Sequence, residues 1–194
     1  DPFMMIMTGD LSYKPNVDAA CFFVKQIMPL IRKRVSGARV LFAGSRPSGE
    51  VLDLARLEGV SVTGFVPDLS ELIAGAAIYV LPMRLGSGIR TKLFDVFPAA
   101  RPIVTTSIGA EGLALEDGSN CRIVDDPEGF ASVCADLLGN AEERRRMGQA
   151  GRHMASSAYS QSVSNANVRK VLEAALGMAG NYWQAGHKRM RSDR

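Results

Sequence analysis

Long apolar runs are missing. Nothing in the 194 residues approaches the roughly 20 apolar residues that a membrane-spanning helix needs. No basic start, short apolar core and small-residue cleavage site marks a secretory signal either. Cysteine is scarce: Cys21, Cys121 and Cys134 are widely spaced, odd in number and set among apolar neighbours. They read as small buried hydrophobes in a reducing compartment rather than as a disulfide or metal framework. The two histidines, His153 and His187, have no partner at ligand spacing, so no metal site is expected. A broad charge excess is absent as well. The net +3 resides in the tail "HKRMRSDR", where four cations face one acid, and the body before it is neutral. That excludes the basic face of a nucleic-acid binder. The tail reads as a solvated end, with contact to acidic lipid or RNA as the alternative.

Two phosphate fingerprints are also missing. G-x-G-x-x-G does not follow the first strand-like run, and G-x-x-x-x-G-K-[ST] occurs nowhere. The chain opens "DPFMMIMTGD", without an initiating methionine and already inside a strand-like run. It reads as a cut, with something N-terminal removed.

What is present is alternation. Apolar residues make up 46% and charged residues 22%, ordinary for one soluble globular domain and too short a chain for two. "FMMIMTG", "ARVLFAG", "VSVTGF", "AIYVLP", "RPIVTTS" and "CRIVDD" read as six short buried strands. Helical stretches separate them. The first is "NVDAACFFVKQIMPLIRKRV", with Val17, Cys21, Val24, Met28 and Ile31 as its apolar stripe and Asn16 as N-cap after Pro15. "DPEGFASVCADLLG" opens with an acid and a proline, a helix-start signature. "NAEERRRMGQAGRHMASSAY" opens close to a capping box, its triple arginine reading as a solvated face. "SQSVSNANVRKVLEAAL" is expected as the last helix, within a domain of residues 1–177, before a basic flexible tail at 178–194.

Strict strand–helix alternation predicts a doubly wound, Rossmann-like parallel sheet of about six strands with helices on both faces. Ligands bind such sheets at the carboxyl ends of the strands, near the switch in strand order. The rule selects five loops: Thr8–Lys14, Gly44–Ser48, Gly64–Asp68, Met83–Thr91 and Thr105–Gly112. The richest is "LPMRLGSGIRTKLFDVF". Gly86-Ser87-Gly88 is expected to lead straight into a helix, aiming free N–H groups and a positive dipole end out of the sheet. Arg90 and Lys92 then fall in the first turn, an unfavourable place for cations unless an anion sits in the loop. Asp95, three residues beyond Lys92, either accepts two sugar hydroxyls or pairs with Lys92.

Three stretches, Thr8–Pro47, Gly59–Pro82 and Gly86–Leu113, resemble the C-terminal, donor-binding domain of GT-B glycosyltransferases. Within those the match is to the retaining family 4, especially its bacterial surface-polysaccharide members. The likeness runs in consistent order from about Met5 to Leu176. It implies one half of a GT-B fold, with an acceptor domain preceding Asp1. It also implies roles. Gly9 lets the chain approach the pyrophosphate, while Phe65 and Val66 lie against the base. Gly86, Ser87, Gly88 and Ile89 give N–H groups to phosphate, and Arg90 and Lys92 neutralise it. Asp95 stands where the family's E-x7-E pattern has its ribose-holding second glutamate, and Ser87 where it has the first, which contacts the donor sugar. Ile108, Gly109 and Glu111 match a loop near the site.

The implied activity is sugar transfer from a nucleoside diphosphate sugar to a glycan or lipid-linked acceptor, with retention of configuration, in polysaccharide biosynthesis. No catalytic group is certain in this chain beyond diphosphate stabilisation by Arg90 and Lys92. No cofactor, metal or nucleic acid is implied. A cytoplasmic location is, with association at the inner membrane face left open. Two rivals remain: half of a nucleotide-sugar epimerase, and a degenerate, non-catalytic α/β module, which Ser87 and the short Asp95 favour.

Overall fold

A computed structural model describes residues 1–160 together with Asn165 and Arg169. Asp1–Ala155 form one compact unit, and Ser156–Arg194 a second. The expected last helix, the boundary at 177 and the basic tail lie outside the described residues, apart from Ser160, Asn165 and Arg169.

Each expected strand forms: β1 (Met4–Thr8), β2 (Arg39–Ala43), β3 (Val60–Val62), β4 (Ile78–Leu81), β5 (Ile103–Thr105) and β6 (Arg122–Ile123). They make one six-stranded sheet in the order β3-β2-β1-β4-β5-β6. Every pairing is parallel, with Thr8 opposite Ala43 and Leu81 opposite Thr105. The four residues of β4 are all buried, as a central parallel strand requires. Chain order reverses between β1 and β4, so the crevice beyond their carboxyl ends is the switch point.

Right-handed crossovers distribute the helices over both faces. Helices α1 (Lys14–Phe22) and α2 (Met28–Arg34) are joined by a π-helical segment, Phe23–Ile27. They pack with α3 (Gly49–Leu54) and α7 (Pro127–Gly139). Across the sheet, α4 (Ser70–Gly75) packs against β1, α5 (Leu93–Val96) and the 3-10 turn Phe97–Ala99. Helix α6 (Ser107–Ala110) follows β5, and α8 (Ala141–Tyr159) closes the described chain. Asp126 and Asn140 accept from N–H groups three residues on, so both helix starts stand as expected. The cysteines are unpaired; Cys121 and Cys134 are buried and Cys21 partly so.

Three local expectations are corrected. The first helix starts three residues earlier, at Lys14, and contains Pro15 in its opening turn; its N-cap is Tyr13, not Asn16. Of the expected stripe, Val24, Met28 and Ile31 are buried, together with Ala19, Ala20, Phe23 and Ile27, while Val17 and Cys21, which precede the π-helical segment, are only partly covered. The triple arginine is a solvated face only in part: Arg145 and Arg146 are exposed, but Arg144 is partly covered. Arg144 donates to the Leu137 and Leu138 carbonyls at the end of α7, and Arg146 donates to the Glu143 carboxylate and the Gly118 carbonyl.

Candidate donor-binding edge

Loops after β1 and β4 meet at the switch point. Gly9 follows β1 with φ +137°, open to glycine and rarely to other residues. A Cβ there would lie 2.8 Å from Lys92 Nζ and 3.0 Å from Asn16 Nδ2, so the glycine makes room for both. Below, Thr8 Oγ1 and the buried Tyr79 hydroxyl are 2.8 Å apart, tying β1 to β4 just under the crevice. Burial pushes the Tyr79 phenol up to about 12, which leaves it neutral.

The β4 loop differs from expectation in one important respect. Helix α5 begins at Leu93, and Lys92 is its N-cap. Arg90 and Lys92 therefore precede the helix instead of occupying its first turn. Successive turns bonded from Leu93 N–H to Arg90 carbonyl and from Phe94 N–H to Thr91 carbonyl bridge the gap. With only four residues, α5 adds little dipole, so the positive field here comes from the two side chains.

Arg90 is 8% exposed. Its Nη1 donates to the Ser87 carbonyl at 3.1 Å and its Nη2 to the Ile108 carbonyl at 3.2 Å. Its Nε is buried without a protein partner. A buried, unpaired guanidinium N–H costs free energy until an acceptor reaches it. Lys92 Nζ donates to Asn16 Oδ1 at 2.7 Å. Burial first, and the Arg90 charge second, pull its pKa down to about 8, with Asp10 acting in the opposite sense. Asp10 itself is held at about 2, chiefly by the Ser12 N–H and hydroxyl, and pairs with Arg46.

Gly86, Ser87, Gly88 and Ile89 form an exposed rim beside Arg90. Arg84 anchors that rim to α1 by a two-pronged pair with Asp18, its guanidinium 4.3 Å from the centre of the Phe22 ring. Ile108 contributes its carbonyl through Arg90, while Gly109 is buried at the start of α6, its N–H taken by Thr106 Oγ1. Glu111 is exposed at the end of α6.

Val66 and Asp95 meet elsewhere on the same edge. With Asp68, Leu69 and Phe94 they line a cleft of about 400 Å³ between the β3 loop and α5. Asp95 is exposed and makes no ion pair with Lys92, so its carboxylate remains open to solvent. Phe65, 76% exposed, stands outside that lining. Among the described residues no three His, Cys, Asp or Glu side chains gather as metal ligands.

Asn16 is the residue that sequence reasoning misplaced. A polar side chain one turn before Ala19 and Ala20, on the inner face of α1, was the available signal. Asp10 carried none beyond its place in the β1 loop.

A family model described as glycosyl transferases group 1 matches residues 2–140. An uncharacterized 44.6 kDa protein in the cps region of Klebsiella pneumoniae is 23% identical over 178 residues, covering 88% of this chain and 44% of its own length. The chain thus spans under half of that relative. Anabaena Alr3699/HepE, solved in complex with UDP and glucose, superposes with TM-score 0.70 at 14% identity, over 88% of this chain and 48% of that one. The C-terminal domain of a glycosyl transferase group 1 family protein (LpcC) from Francisella tularensis gives TM-score 0.60 at 14% identity. There the cover is 81% of this chain and 86% of that one.

Proposed function

Because the chain belongs to the glycosyl transferases group 1 family, we propose that it forms the donor-binding half of a retaining glycosyltransferase. The intact enzyme moves a sugar from a nucleoside diphosphate sugar to a glycan or lipid-linked acceptor in polysaccharide biosynthesis, on the cytoplasmic side of the membrane. The observation that carries the reading is the meeting of Gly9, Arg90 and Lys92 at the switch point, with a buried guanidinium N–H left unpaired.

In this reading the diphosphate lies over Gly9, within reach of Arg90, Lys92 and the N–H groups of Gly86–Ile89. The cations stabilise the negative charge that builds on the departing diphosphate, the usual source of catalysis when a phosphate leaves. They do so without a metal. Asp95 accepts the ribose hydroxyls, and Val66, with Phe65 beside it, meets the base at the rim of the cleft that Val66 and Asp95 share. Ser87 faces the sugar. An acceptor site is supplied by another domain of the full-length enzyme. The solved complex of HepE with UDP supports uracil as the first base to test.

Calorimetry with UDP, GDP and ADP tests the reading. One of them is expected to bind, and Arg90→Ala with Lys92→Ala to weaken it by a hundredfold or more, since two charge-assisted contacts are lost at about 1.5–3 kcal/mol each. Unchanged affinity in the double variant would remove the phosphate roles. No binding of any nucleotide at millimolar concentration would favour the non-catalytic module, to which the missing carboxylate at Ser87 points.

A further inference from the structure

Lys92 occupies a demanding place. Its ammonium is wedged beneath Gly9, partly buried, and faces the Arg90 guanidinium from its own loop. The carboxylate that acts on it, Asp10 in the β1 loop, is already committed to Arg46 and to the Ser12 N–H and hydroxyl. Lys92 forms no ion pair among the described residues. It is held by a neutral acceptor, Asn16 Oδ1, at 2.7 Å. Asn16 is 4% exposed, and its Nδ2 donates to the Asp10 carbonyl at 2.8 Å, so the amide cannot turn its other end toward the lysine.

We propose that Asn16 is a positioning residue for diphosphate binding: it holds the Lys92 ammonium against Gly9 without neutralising it, so that the ligand supplies the counter-charge. The inference rests on reading this edge as the donor site. An aspartate in the same place would satisfy Lys92 internally and compete with the ligand. An apolar residue would leave both the ammonium and the Asp10 carbonyl short of a partner.

A proton consequence distinguishes this role from simple packing. With its pKa drawn down to about 8 by burial and Arg90, Lys92 is partly neutral at pH 8.5 in the free protein. An arriving diphosphate favours the charged form, so binding takes up a proton fraction. By linkage, affinity falls as pH rises above about 8, by at most about tenfold per unit. Below about pH 8 the lysine is charged in both states and contributes no slope. The nucleotide's own last ionisation lies near 6 and is complete at pH 8.5. Asp10, held near 2, stays ionised throughout.

The test is calorimetry of UDP, or of whichever of GDP and ADP binds, to the whole chain at pH 7.5 and 8.5. Buffer pairs of different ionisation heat count the protons. Wild type is expected to take up a fraction of a proton at pH 8.5. Asn16→Asp is expected to bind at least about tenfold more weakly at pH 7.5, with the uptake at pH 8.5 gone, because its carboxylate keeps Lys92 charged beforehand. Asn16→Ala is expected to weaken binding while retaining uptake. Wild-type affinity and uptake in Asn16→Asp would overturn the proposal. Should that variant not fold, unchanged affinity in Asn16→Ala would do the same. Failure of the wild type to bind any of the three nucleotides would instead sink the donor-site reading itself.

Discussion

Lys92 is held at a cost to the unliganded protein, and the sign of that cost is fixed. Its folded pKa, about 8, lies below the ordinary 10.5 of an unfolded lysine. Between those values the unfolded chain binds more protons, so stability rises with pH across that window, and the full penalty applies below about 8. Lys92→Met is therefore expected to raise stability at pH 7 by on the order of 1–2 kcal/mol, discounted for partial exposure, while weakening nucleotide binding. Urea melts of both proteins from pH 7 to pH 10.5 check this: the gain should shrink as pH rises. A constant gain would show that packing, not charge, sets the difference. Arg90 and Lys92 were legible in the sequence as cations at a strand's carboxyl end. Asn16 was not, because an asparagine beside a proline reads as a cap until the inner face of the helix is known. Nor was the Lys92–Asp95 alternative settled by spacing. The i,i+3 interval permits the pair, but Lys92 reaches across to α1 instead.

Strands were the easiest elements to read, since a parallel strand covered on both faces is apolar throughout and ends at polar or glycine residues. Helical phase was harder. Val24, Met28 and Ile31 are buried as the stripe required, but Val17 and Cys21, two turns and one turn earlier, are only partly covered, and no residue in "FVKQI" announces the π-helical segment. The glycine loop misled for a related reason: Arg90 folds back on the Ser87 and Ile108 carbonyls, which keeps its backbone out of the helix. Contact between elements also sets a glycine requirement. Gly44 follows β2 with φ +156°, and a Cβ there would meet the Gly9 carbonyl oxygen at 1.8 Å. Gly44→Ala must push the β1 loop away, and is expected to cost about 2–4 kcal/mol and to displace Gly9 from the proposed diphosphate site. Gly49→Ala is the control. A Cβ at Gly49, the first residue of α3, meets nothing within 4 Å, so this change should be neutral or stabilising by up to about 1 kcal/mol. Equal denaturation midpoints for the two variants would contradict the close approach of the loops.

At the scale of the molecule, every candidate residue falls on one edge of the sheet, a consequence of parallel topology more than of any one motif. That is why fold class was legible while donor identity was not: alternation selects the candidate edge, but the proposed reading leaves the sugar to one side chain, Ser87. The edge is also open. Phe65, Leu85, Ile89 and Ile108 are exposed apolar groups along its loops, and Ser87 and Asp95 face solvent. In the proposed reading such an edge holds a nucleotide by charge and backbone contacts, while another domain positions the acceptor. Binding and transfer should therefore separate in this chain. At a nucleotide concentration 100 times its Kd, binding stabilises by about 2.7 kcal/mol, which for a domain of this size raises Tm by roughly 5–10 °C. The same protein, given the corresponding nucleotide sugar and a range of glycan acceptors, is expected to transfer no sugar above background. Orienting the second reactant alone is worth about 7–11 kcal/mol of the barrier, and in the proposed reading that task falls to another domain. A thermal shift without turnover fits a donor half. Turnover by this chain alone would place the acceptor site within its own residues.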